Sequence, residues 1–179
     1  MTVMQRERRN MKHSDRKITD KKIICAMLDM CEIINIGFHD GEYPYVLPVN
    51  YGYSYEGDLV FYTHHAVDGY KNKLIENNPK VCVVTHKFMD NIHNAYDHSS
   101  HDYRSVMAFG EISVIERESE DYKKAWECLG AHNRCNVSDT VFNPNFNILM
   151  CKIVCRPENV IGKAQRNITD ISQVPLKSD

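Results

Sequence analysis

The chain has 179 residues, of which 42% are hydrophobic, and a formal net charge of −2. That is one domain's length with enough apolar content for a core, and the near-neutral balance gives no electrostatic basis for binding nucleic acid or an anionic membrane surface. No apolar run approaches the roughly 18 residues of a membrane helix, and residues 1–17 are basic and polar without a signal-type hydrophobic stretch, so a cytoplasmic location is expected.

Residues 1–14 read as a flexible polar arm. A helix is expected from Thr19 or Asp20, either of which can cap it, with Ile23, Ile24, Met27, Leu28 and Cys31 on one face. Strand signals at 33–38 lead into His39-Asp40-Gly41-Glu42, a hairpin turn with Asp-Gly at its centre. The returning strand, 43–55, is read as one long run in which Tyr51, Tyr53 and Tyr55 share a face. Pro48 lacks an N–H, so this strand is an edge or carries a bulge. Either leaves backbone groups that a flat heteroaromatic ring edged with carbonyls and nitrogens can use.

Residues 59–63 form the next strand, ending in hydroxyl and imidazole groups. A short helix opened by Asp68-Gly69 follows, with Tyr70, Leu74 and Ile75 turned inward and Lys71 in its first turn. Strand end, helix N-terminus and lysine together make a phosphate seat. After a strand at 81–85, residues 86–102 read as a long polar loop. A strand covers 103–115. Ser119 caps a helix whose core stripe is Tyr122, Ala125, Trp126 and Leu129 and whose end is Gly130. The last strand spans 148–154, resuming near Val160-Ile161. Many strands with few helices indicate an antiparallel split β-barrel with flanking helices, mainly β. The domain is expected over 15–163, followed by a polar tail, 164–179.

The seven cysteines are odd in number and contain no Cys-x-x-Cys, so they read as reduced thiols. His86, His93, His98 and His101, and separately Cys128, His132 and Cys135, match no metal-ligand signature, and no metal is expected. No nucleophile elbow, Walker-type loop or Gly-x-Gly-x-x-Gly occurs.

The order of four segments is specific. Residues 43–53 (YPYVLPVNYGY), 59–64 (LVFYTH), Gly69-Tyr70-Lys71 with Asn78-Pro79-Lys80-Val81, and Tyr103-Arg104-Ser105-Val106 with Phe109-Gly110 resemble the flavin-binding split-barrel superfamily that includes pyridoxamine 5'-phosphate oxidase. Within it they are most similar to the nitroimidazole-resistance branch. The resemblance implies FMN as cofactor, with FAD as the alternative, bound between the chains of a homodimer. It implies a flavin site of Val46, Leu47, Pro48, Val49, Asn50, Tyr62, Thr63, His64, His65, Lys71, Arg104 and Ser105. Lys71 would hold the phosphate, with Lys73 or Arg104 assisting, because Tyr70 replaces one of two basic residues common there. Arg104 is suited either to phosphate or to a salt bridge. His64 falls where that branch carries a histidine near the ring and is the candidate catalytic residue. His65 falls where a small residue is more usual.

The activity implied is a flavin-dependent oxidoreductase passing electrons from NAD(P)H or another donor to a small electron-poor acceptor, such as a nitroimidazole or other nitroaromatic. The alternatives are a flavin- or haem-binding module without turnover and an amine oxidase of the pyridoxamine-phosphate type.

Overall fold

A computed structural model describes residues 11–93, 99–137, 147–165 and 168–174. Asp20, of the two candidate caps, opens α1 (Lys21–Asp29): its side chain accepts from the Ile23 N–H. The apolar stripe Ile23, Ile24, Met27 and Leu28 is buried as its spacing requires. The chain then turns into β2 (Ile33–Asp40) and β3 (Tyr43–Asn50). Asp40 pairs with Tyr43, so the turn is centred on Gly41-Glu42, one residue later than the Asp-Gly reading. Gly41 takes φ +59°, the left-handed region a glycine tolerates at the first central position.

The strand read as continuous over 43–55 is two. β3 ends at Asn50, and β4 (Gly52–Tyr55) begins after a break at Tyr51. The two halves lie at opposite ends of the sheet path, whose order is β3, β2, β6 (Lys80–His93), β7 (Ser99–Ile115), β8 (Ile148–Cys155), β5 (Leu59–Ala66) and β4. Pro48 is accommodated because β3 is an edge, paired only through β2. Tyr51, Tyr53 and Tyr55 share the core side across the break, and the Tyr51 hydroxyl donates to the Leu28 carbonyl at 2.8 Å. A Cβ added at Gly52 would lie 2.3 Å from the Cys128 carbonyl carbon and the Leu129 nitrogen. Only glycine therefore lets β4 run directly beneath the third helix.

β5 (Leu59–Ala66) is followed by α2 (Tyr70–Asn77), β6 (Lys80–His93) and β7 (Ser99–Ile115). The polar loop expected at 86–102 is instead the outer part of this hairpin, paired from His86↔Ser105 to His93↔Ser99 with a bulge at Phe88/Asp90. Most of its β6 side chains are exposed beyond the reach of β2, while Asp102 on β7 is buried. Of the expected loop, residues 94–98 lie outside the described residues. Tyr70 is half exposed rather than inward, its hydroxyl donating to Asp40.

α3 (Glu120–Asn133) starts at the Ser119 cap but passes Gly130, ending at Arg134 in the left-handed conformation. β8 (Ile148–Cys155) and β9 (Val160–Ala164) complete the sheet, and β9 pairs with β7 and with a short β1 (Lys17–Ile18). All pairings are antiparallel and the sheet stays open, a split barrel with helices outside. One core lies between the sheet and α1; a smaller one, Tyr62, Ile115, Tyr122, Ala125, Leu129 and Met150, lies under α3. The 164–179 segment is not wholly a polar tail: Ile168 and Val174 are buried in the main core. The 1–14 arm falls outside the described residues as far as residue 10, and the tail beyond 174 does too. No described helix is long and apolar enough to cross a membrane.

Candidate functional site

Strand alternation divides β5 into two faces. Leu59, Phe61, Thr63 and His65 point into the barrel, where all four are buried. Tyr62 and His64 face α3. Tyr62 joins the smaller core, and the half-buried His64 ring stacks on Trp126, with centroids 5.9 Å apart and planes within 20°.

On the inward face, Thr63 Oγ1 and His65 Nε2 lie 2.7 Å apart. His65 Nδ1 is buried and has no hydrogen-bond partner. Cys151, the register partner of Thr63, is fully buried beside them. Burial, then the Lys71 ammonium and His64, lowers the His65 imidazole from its ordinary 6.5 to about 3, so it is neutral at physiological pH. Burial pushes the Cys151 thiol up to about 12, against an opposing pull from Lys71, so it is no thiolate.

α2 begins over this floor. Its N-cap is Gly69, with no side-chain cap, so Asp68 does not close the helix. The Asn72 amide instead donates to the carbonyls of Ala66 and Val67, fixing the turn between β5 and α2. Lys71 folds back: a Cβ built on Gly69 would lie 3.4 Å from Lys71 Cε and 3.6 Å from its Cγ. The half-buried ammonium is held below its ordinary pKa by desolvation, and its field lowers both His64 and His65. A cation and uncapped helical N–H groups thus stand at the end of the strand that carries the buried Thr63–His65 pair. The cation and the N–H groups can neutralise and hydrogen-bond a phosphate.

The β3 segment alternates likewise. Leu47 and Val49 pack on the core, while Val46, Pro48 and Asn50 face outward and are exposed. Asn50, the last residue of β3, comes near His64 across the break at Tyr51. The two share a pocket of about 220 Å3 with Trp126, Leu129, Asn133 and Cys135. Trp126, read from spacing as a core residue, is a wall of this pocket; helical periodicity alone does not separate a core stripe from a pocket lining. A larger groove of about 640 Å3 runs between the β2–β3 turn, Val81 and Phe109, and it contains none of the expected site residues. The smaller pocket holds the candidate residues His64 and Asn50, on the β5 face opposite to Thr63 and His65.

Arg104 and Ser105 are elsewhere. β7 meets β8, and through it β5, by Glu111–Ile115, whereas Arg104–Ala108 pair with β9. Arg104 is buried and ion-paired with Asp102 at 2.5 Å. Of its two suitable uses, phosphate contact or salt bridge, the second is the one formed. Ser105 Oγ donates weakly to the Lys163 carbonyl at 3.4 Å. One chain does not bring either residue to Lys71. Lys73 is exposed on α2. Among the described residues no group of three His, Cys, Asp or Glu is placed to hold a metal ion.

The family model for pyridoxamine 5'-phosphate oxidase matches residues 20–134. No curated protein matches the sequence. Among solved structures, a candidate 5-nitroimidazole antibiotic resistance protein from Bacteroides thetaiotaomicron is 24% identical, with TM-score 0.68, over 83% of this chain and 86% of that one. The FAD and haem binding protein from Mycobacterium smegmatis is 16% identical, with TM-score 0.65, over 88% and 78%. The flavocytochrome Anf3 from Azotobacter vinelandii is 18% identical, with TM-score 0.64, over 95% and 84%. These likenesses concern the fold. The matched family segment takes in α1, the β5–α2 corner, the hairpin arm and α3, and the chain belongs to the pyridoxamine 5'-phosphate oxidase family.

Proposed function

We propose that the chain binds a flavin, FMN before FAD, at the β5–α2 corner and transfers electrons to a small electron-poor acceptor of the nitroaromatic class. The observation that carries this is the half-buried Lys71 at the uncapped start of α2, which follows the strand carrying the buried Thr63–His65 pair. A phosphate fits that donor set. When bound, the flavin supplies the hydride or electron chemistry. Lys71 and the first N–H groups of α2 hold the phosphate, with Thr63 and His65 beneath. Asn50 and His64 flank the ring, with the outer face of β3 at Val46 and Pro48 along its edge.

Burial, then Lys71, lowers the His64 pKa from its ordinary 6.5 and favours the neutral imidazole, which can accept a proton or offer its one N–H as a hydrogen bond to the acceptor. The 220 Å3 pocket is smaller than a whole flavin site needs. A second copy of the chain is the natural completion: it would cover exposed Val46, Pro48 and Asn50 and bring its own β7 segment, with Arg104 and Ser105, to the groove.

The purified protein should show flavin bands near ~375 and ~450 nm, and the mass released by heat decides FMN or FAD. NAD(P)H turnover with a nitroaromatic acceptor, abolished in His64→Ala while flavin content persists, is the expected result. Unchanged turnover in that variant removes His64 from the chemistry, and a colourless protein that takes up no added flavin removes the reading. A haem-binding module is the second reading. It is favoured by the neutral, half-buried His64 at a pocket mouth, a group able to serve as an axial ligand, and a Soret band would select it.

A further inference from the structure

The pocket of about 220 Å3 beside His64 admits one small ring. One wall is flat, the stacked rings of His64 and Trp126. Another is the chain after α3. Arg134 reverses it at φ 53°, and the returning segment lies so close to Gly130 that an added Cβ would stand 2.6 Å from Val137 Cγ2. Among the described residues lining the pocket there is no lysine, arginine, aspartate or glutamate. Asn133 is fixed in it. Its Nδ2 donates to the Tyr51 carbonyl, at the break between β3 and β4, at 3.0 Å, and to the Leu129 carbonyl at 2.8 Å. Both amide hydrogens are thereby committed, and because both partners are carbonyls the amide has one orientation. The polar atom that Asn133 has left for the pocket is Oδ1, an acceptor. Asn50, exposed at the rim, has an amide that can turn to donate.

We propose that this pocket binds a small neutral aromatic carboxamide and that Asn133 is the residue that selects it. The ring lies on the His64–Trp126 wall, the amide N–H donates to Asn133 Oδ1, and the amide carbonyl accepts from Asn50. Each element answers one property of the pocket. A flat aromatic wall favours a flat ring. An ester in place of the amide leaves Oδ1 without a donor, and an acceptor left unpaired costs more than a made hydrogen bond returns. A carboxylate adds a charge that no lining residue pairs. A nicotinamide ring is of this class, whether free or carried on a dinucleotide. The site goes beyond the flavin reading and does not depend on it.

The chain has a single tryptophan, so its one indole signal in a 1H–15N spectrum reads this wall directly. Titrating the full chain with nicotinamide should shift that signal. Methyl nicotinate, the same ring without an N–H, should bind about tenfold more weakly, the scale of one acceptor left unpaired. Asn50→Ala should weaken both ligands by a similar factor, since both carry the carbonyl. Asn133→Leu should erase the preference for the amide; where that variant does not fold, the two ligands on the wild-type chain decide. Equal affinity for amide and ester, a preference that survives in folded Asn133→Leu, or an indole signal that nicotinamide leaves unmoved overturns the proposal. With nicotinamide bound, competition by NADH identifies a dinucleotide as the source of the ring, and its failure to compete identifies the free amide. A chain that binds no flavin yet passes these tests defeats only the flavin reading. One that binds flavin yet fails them defeats only this inference.

Discussion

Two polar clusters are built into this barrel, and they are satisfied differently. At the root of the β6–β7 arm, Arg104 and Asp102 stand two residues apart on one strand face and close a buried ion pair. At the β5–α2 corner, Thr63 and His65 have the same spacing on a strand, yet their pairing leaves His65 Nδ1 bare, and among the described residues no carboxylate pairs with Lys71. Each cluster leaves one buried nitrogen bare, Arg104 Nε in the first and His65 Nδ1 in the second. The first nevertheless balances its own charge, whereas the second is left short of anionic charge, the condition expected of a site completed by something outside the chain.

Breaking the self-contained cluster should have the largest effect. Asp102→Asn leaves Arg104 buried and charged, and chemical denaturation should register a loss of about 3–5 kcal/mol. Flavin affinity per folded molecule should fall with it, because the second copy is proposed to bring this Arg104 to the groove; an unchanged affinity would keep the arm out of the site.

The open cluster is sharpened by pH. The folded pKa of His65, about 3, lies below its unfolded 6.5. Between these values the unfolded chain binds the extra proton. This contribution to stability is therefore complete above pH 6.5 and is lost as pH falls toward 3, by at most about 5 kcal/mol. His65→Gln should flatten that part of the stability profile. An unchanged profile would mean that the imidazole is solvated.

The smallest effect belongs to a pair in neither cluster. Lys123 and Glu127 form an exposed i,i+4 contact at 4.0 Å on α3. Glu127→Ala should move stability by less than about 0.5 kcal/mol, which sets the background for the other two.

The sequence made the open cluster legible and hid the closed one for physical reasons. Alternation on β5 separates His64 from His65, and the Gly69-Tyr70-Lys71 turn marks the helix start, because both signals are local. Asp102, by contrast, lay in a stretch read as loop. The arm has no hydrophobic alternation because its β6 strand is mostly exposed and the covered positions at its root are the polar Asp102 and Arg104, so its strand pairing leaves no hydrophobic period to find. Had it been read as a strand, the i, i+2 spacing of Asp102 and Arg104 would have disclosed the pair. The break at Tyr51 was invisible for the opposite reason. The tyrosine alternation continues through it, and only the identity of the hydrogen-bonding neighbour changes, which is a long-range property. Tyr70 was misplaced because its ring fits an apolar stripe while its hydroxyl is drawn out to Asp40.

That break has a consequence for assembly order. The two strands that end the sheet path are consecutive in the chain and are tied by the single residue Tyr51. Bringing the sheet's ends together therefore adds almost no loop-closure entropy once the intervening strands have paired. A circular permutant opened between Asn50 and Tyr51 would keep every ladder hydrogen bond and yet lose the covalent clasp. Its ends would be free to splay, and its folding would slow while its strand content stayed the same.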